Sequence, residues 1–151
     1  MVGATIAMAM LAASLPGNYD CAIERQIVVT ETGVQPGDVI QFPEAEREAW
    51  RFSMRVRTPR NAAAQVELLW SANPIQIAGT HAAVDLAPSH LAFMAMARGP
   101  CMFTETNCMA LIQLSARDDG SAAFTIMPAG LAGPTQLHVI FIGSCRRQNG
   151  S

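Results

Sequence analysis

From Trp50 to Arg57 the chain alternates without a break: Trp50, Phe52, Met54 and Val56 fall in one phase, and Arg51, Ser53, Arg55 and Arg57 in the other. Successive side chains of a strand point to opposite faces, so the segment reads as a strand with one apolar and one basic face. Beyond the breaker Thr58-Pro59-Arg60-Asn61, the residues Val66, Leu68 and Trp70 alternate with Gln65, Glu67 and Leu69, and the two segments together predict a hairpin. Pairing Phe52 with Trp70, Met54 with Leu68 and Val56 with Val66 keeps the apolar side chains together and sets Arg55 opposite Glu67. A slip of one residue would bury the arginines.

A second hairpin follows the same rule. Ala110, Ile112, Leu114 and Ala116 alternate with Gln113, Ser115 and Arg117; Ala122, Phe124 and Ile126 alternate with Ser121 and Thr125, and Asp118-Asp119-Gly120 connects the two runs. Three loop residues ending in glycine suit a type I turn whose last residue is left-handed, a conformation glycine enters without a Cβ clash. Further strands are expected at residues 26–30, 39–42, 75–77, 91–97 and 137–144. The last, "LHVIFIGS", is apolar in both phases and reads as a central strand. Pro43 followed by "EAEREA" predicts one or two helical turns, because proline suits a first helical position and acids favour that end.

Short strands with regular turn signals predict an all-β fold: an antiparallel two-sheet sandwich of about 7–8 strands, with a small closed β-barrel as the alternative. The 151 residues, 50% hydrophobic and 15% charged, suffice for one core and little more. Residues 1–14 read as a signal peptide, with an apolar centre at residues 6–13 and small residues Ala12 and Ser14 before the cut. Residues 15–151 then form a single domain. No Lys or Arg precedes the apolar run, so a buried amino-terminal strand or helix is the competing reading.

All four cysteines lie beyond that cut, and an even count in an exported, periplasmic or secreted chain implies two disulfides. Cys101 and Cys108 flank one short polar turn, and Cys21 and Cys145 sit at the two ends of the domain. The expected pairs are therefore 21 with 145 and 101 with 108. The rival reading of "PCMFTETNCM" is a soft pocket for Cu(I) built from Met94, Met96, Cys101, Cys108 and His90. Adjacent strand residues diverge, and no C-x-x-C or paired-histidine spacing is present, so the staple is preferred and no cofactor is expected.

The chemistry beyond that is sparse. There is no G-x-S-x-G elbow and no spaced His, Asp and Ser set, and Asp118 and Asp119 belong to a turn, so a non-catalytic protein is expected. All ten basic residues are arginine, but the net charge of -2 gives no general excess to release counterions from nucleic acid. The feature most suggestive of binding is the basic stripe Arg51, Arg55 and Arg57, with Arg60 in the turn beyond. Guanidinium groups grip carboxylates and phosphates in bidentate fashion. The competing reading is a solvated sheet face neutralised by Glu67 and the "EAERE" segment.

The sequence thus sets the expectation of a small exported binding or envelope accessory module that engages an anionic envelope component or a protein. Its mature chain is expected to hold no transmembrane segment. A periplasmic copper-binding protein and a small hydrolase without a recognisable motif are the alternatives.

Overall fold

In a computed structural model, residues 14–30, 32–70, 79–87, 89–98, 107–128 and 138–149 are described, with residues 70, 97, 98, 107, 108 and 138 by their backbone only. Nine strands follow in chain order: β1 (Gly17–Val29), β2 (Val39–Gln41), β3 (Arg51–Arg57), β4 (Ala64–Trp70), β5 (Gly79–Ala87), β6 (His90–Arg98), β7 (Asn107–Ala116), β8 (Ala122–Pro128) and β9 (His138–Arg147). Between β2 and β3 lie a short helix, α1 (Glu44–Arg47), and a 3-10 turn over Glu48–Trp50.

All pairings are antiparallel, and from β3 to β9 each strand pairs with the next in sequence. The sheet then closes on itself, because β1 pairs with β3 on one edge and with β9 on the other. The result is a closed eight-stranded barrel, with β2 as a short flap outside the ring. The expected two-sheet sandwich is therefore corrected in favour of the barrel. Both architectures demand the same in-and-out alternation. They differ only in the long-range pairing of the first strand with the last, which periodicity does not report.

One strand serves three neighbours because β1 is long. Its first half, Gly17 to Ala22, pairs with β3, and its second half pairs with β2 at Arg25, Gln26 and Ile27. Between the halves the register against β9 shifts, Ile23 facing Gly143 and Arg25 facing Ile142, so Glu24 is the extra residue of a bulge. A bulge bends its strand and sharpens the twist, which here turns β1 away from β3.

Both hairpins read from the alternation have the expected register. Phe52, Met54, Arg55 and Val56 oppose Trp70, Leu68, Glu67 and Val66. Leu114 opposes Phe124 and Ala116 opposes Ala122. Gly120 has φ +80°, the Arg117 and Ser121 backbones close the turn at 2.8 Å, and the Asp119 carboxylate accepts from the Ser121 N–H at 2.9 Å and its hydroxyl at 2.5 Å. Those bonds hold the Asp119 pKa below its ordinary value, the mark of turn chemistry.

The interior is filled with side chains. Tyr19, Ile23, Val66, Leu68, Leu114, Ile126 and Phe141 are among the fully buried residues, and Phe52 meets Phe124 edge to face at 5.2 Å. One end is covered by aromatic rings: Phe42 stacks on Trp50 at 5.2 Å, and Trp50 leans on Phe141 at 5.7 Å. The helical segment 44–50 thus brings Trp50 over the barrel mouth. At the opposite end Leu15 is buried and its carbonyl accepts the Tyr19 hydroxyl at 2.7 Å. The Arg147 guanidinium lies over the Tyr19 ring at 6.0 Å and donates to the Pro16 carbonyl.

The alternation did not reveal β5, nor the first half of β1. In β5 the inward residues are His81 and Ala83, while Val84 and Leu86 face out at 65% and 59% exposure, so its apolar phase is the wrong one. The expected strand at 75–77 lies outside the described residues.

Candidate functional site

The arginine stripe stands on the outer wall of β3, opposite the buried Phe52, Met54 and Val56. Its four members have different surroundings. Arg51 pairs with Asp20 of β1 at 3.5 Å and with Glu48 at 2.9 Å. Arg55 donates from Nε to the Asn18 side-chain oxygen at 2.9 Å and faces Glu67 at 3.6 Å. These two are tied to neighbouring elements, as the neutralised-face reading expects. Arg57 and Arg60 have no acidic partner among the described residues.

Two open polar clefts, each of about 170 Å³, flank the stripe. One lies over β3 to β5 and is bounded by Arg55, Arg57, Gln65, Glu67 and Thr80. Two guanidinium groups and one carboxylate leave it with a net positive charge. Gln65 and Thr80 add neutral donors that a carboxylate or phosphate oxygen can use. The other cleft lies where β1, β3, β9 and α1 meet, and there Arg47, Arg51 and Arg146 mix with Asp20, Glu24, Glu44 and Glu48. Several of these groups already have partners: Arg51 pairs with two carboxylates, Arg47 donates to the Phe42 carbonyl at 2.8 Å, and Glu24 accepts from the Ser144 hydroxyl.

Glu24 and Ser144 were not anticipated from the sequence. Glu24 comes within reach of Ser144 only because the bulge puts an extra residue of β1 beside β9, and the chain carries no local sign of that count. Arg146 likewise sits in a carboxyl-terminal segment with no alternation of its own.

The soft-metal residues are not gathered by the described structure. His90, Met94 and Met96 all point outward from β6, but Met96 lies six residue steps along the strand from His90, about 20 Å. His90 Nδ1 is within 2.9 Å of the Ser89 hydroxyl. Cys101 and the Cys108 side chain lie outside the described residues, and so the expected 101–108 pairing falls outside them too. Met94 and Met96 are 44% and 64% exposed, because Leu91, Phe93 and Ala95 take the inward phase.

The other expected disulfide is present. Cys21 and Cys145 are direct partners across the β1–β9 junction, with Cα atoms 4.0 Å apart, and both are buried. Inside the barrel, His81 stacks on Phe93 at 5.8 Å where β5 and β6 have parted, their pairing being confined to Val84, Asp85 and Ala87. Its Nε2 is buried without a hydrogen-bond partner among the described residues, and desolvation lowers its pKa from 6.5.

Fold and site together define a disulfide-closed, side-chain-filled β-barrel whose polar chemistry lies on its outer wall. No protein-family model, curated protein or solved structure matches the chain.

Proposed function

We propose that this protein is a non-catalytic binding module of the cell envelope that holds an anionic partner against the outer wall of β3 and β4. Arg57 and Arg60 are the main contacts, Arg55 assists, and Arg51 braces the wall. The observation that carries this reading is the Arg57 guanidinium beside an open cleft of about 170 Å³, with no acidic partner among the described residues. A fixed guanidinium fork with Gln65 and Thr80 alongside suits a carboxylate or phosphate oxygen. A ligand inside the barrel is disfavoured, since Phe52, Phe124, Phe141 and their neighbours occupy that space.

The envelope location rests on the Cys21–Cys145 disulfide, a bond that persists in oxidising compartments, and on the amino-terminal apolar run. No helix among the described residues is long and apolar enough to cross a membrane.

The test is retention on polyphosphate and polygalacturonate matrices. The parent and an Arg51→Ser variant should be retained at low salt and released as the screening length falls toward about 8 Å. The double variant Arg57→Ser, Arg60→Ser should flow through while its circular dichroism stays that of the parent. Equal retention of parent and double variant, or no retention of either, overturns the reading.

A further inference from the structure

Eight strands in a ring place β7 diametrically opposite β3, since three strands separate them on either side. The two walls contrast sharply. On β3 the outward phase is Arg51, Ser53, Arg55 and Arg57, whereas on β6 to β8 the outward positions 92–96, 109–115 and 123–127 carry no ionisable side chain.

Five of the nine large apolar side chains exposed among the described residues fall on β5, β6 and β7: Val84, Leu86, Met94, Met96 and Met109. Four of them, Val84, Met94, Met96 and Met109, adjoin one another, and Leu86 lies two residues beyond Val84 on the same strand. Met94 is paired with Leu111 and Met96 with Met109, Leu111 is paired in turn with Met127, and Val84 opposes Ala92 beside Met94. Directly opposed side chains on one sheet face touch, so the methionines form one continuous surface.

From this wall we infer that the protein self-associates, with the methionine-rich face of β5 to β7 docking on the same face of a second copy. The five side chains expose on the order of 400 Å² of apolar surface, within the range of the largest patch on ordinary monomers, many of which are functional. A standard interface takes about 800 Å² from each partner, a little over half of it apolar, so this patch is large enough to be the centre of one. An interface between two copies about a two-fold axis sets a surface against itself. A charged wall would meet like charge in such a contact, whereas the outward positions of β6 to β8 named above bring none, and the exposed Asp85 of β5 and His90 of β6 stand at the margin. Methionine has no branch at Cβ and adapts to an irregular opposing surface.

The pairing bears on the arginine wall without depending on it. Covering the β5–β7 side leaves both β3 walls outside, facing away from each other, so a dimer would present two anion sites to one extended polymer.

Sedimentation velocity across a hundredfold range of protein concentration tests the inference, with hydroxyl-radical footprinting of the methionines alongside. The parent should sediment as a dimer with Met94, Met96 and Met109 protected. Met96→Glu with Met109→Glu puts carboxylates on outward positions of an intact barrel and should weaken association at least tenfold, whereas Arg57→Ser should leave it unchanged. A parent that stays monomeric at all concentrations overturns the inference, as does a dimer indifferent to the two glutamates. A monomer that floats with neutral phosphatidylcholine vesicles through these methionines would also overturn it, assigning the wall to a lipid surface.

Discussion

Cys21 and Cys145 are directly opposed across the β1–β9 junction, so the disulfide lies on the one seam that turns an open sheet into a barrel. The bond spans 124 residues of sequence. In the chain-entropy account a loop of that size restricts the unfolded chain by about 4–5 kcal/mol. The double variant Cys21→Ala, Cys145→Ala should lower the urea midpoint accordingly, and reductant should shift the parent toward the same value. A loss below about 1 kcal/mol in both would mean that the β1–β9 ladder closes the barrel unaided.

At Gly143 the ring has no room for a side chain. The glycine faces Ile23 beside the bulge, and a Cβ there would run into the Ala22 carbonyl oxygen and the Phe124 ring. Gly143→Ala should therefore destabilise by about 1–3 kcal/mol, the usual cost of overpacking, or more if the β1 bulge is lost. Gly33, whose added Cβ would meet nothing, has φ +93° and is no fair control. Gly37, which meets nothing and has no such φ, should accept alanine with little change in the unfolding midpoint.

His81 should make stability pH-dependent. Burial lowers its pKa below 6.5, so as pH falls through that value the unfolded chain takes up a proton that the folded chain refuses. This contribution to stability is fully present above 6.5 and is lost as pH falls toward the depressed folded value. Unfolding midpoints between about pH 8 and about pH 5 should decline for the parent, and His81→Leu should remove part of that decline. An identical pH profile for the variant would show that the imidazole is solvated.

Processing is the fourth test. Cleavage after Ser14 would leave Leu15, whose side chain is buried and whose carbonyl holds the Tyr19 hydroxyl, as the first residue. Intact mass of the protein from its native cell should correspond to residues 15–151, and peptide mapping without reduction should join Cys101 to Cys108. Trimming past Leu15 would expose the barrel end and strand a buried hydroxyl, at about 1–3 kcal/mol for the hydroxyl alone.

What was legible in the sequence was local. The Phe52–Trp70 and Leu114–Phe124 registers follow from alternation, because a slip by one residue turns every side chain to the wrong face. The left-handed Gly120 and the turn role of Asp119 follow from residue chemistry over a few positions. The closure of β1 on β9 depends on contacts more than a hundred residues apart, and only the cysteine at each end hinted at it. In β5 the core phase is filled by His81 and Ala83, so an inward strand looked like none at all. The arginine stripe was visible on its face, and so was the opposition of Arg55 to Glu67. The Asp20 partner of Arg51 became visible only once β1 was known to lie beside β3.

Closure has a consequence for the order of the chain. Tyr19 pairs with Arg147, and the Gln148 N–H donates to the Asn18 carbonyl at 2.8 Å, so the beginning and the end of the described fold lie side by side on neighbouring strands. In such a ring the linear numbering marks a starting point and little else. A circular permutant opened in the exposed Asp118-Asp119-Gly120 turn and joined by a short linker from Asn149 to Ser14 would keep every strand neighbour it has now. Its Cys21 and Cys145 would then staple a short internal loop in place of two distant ends.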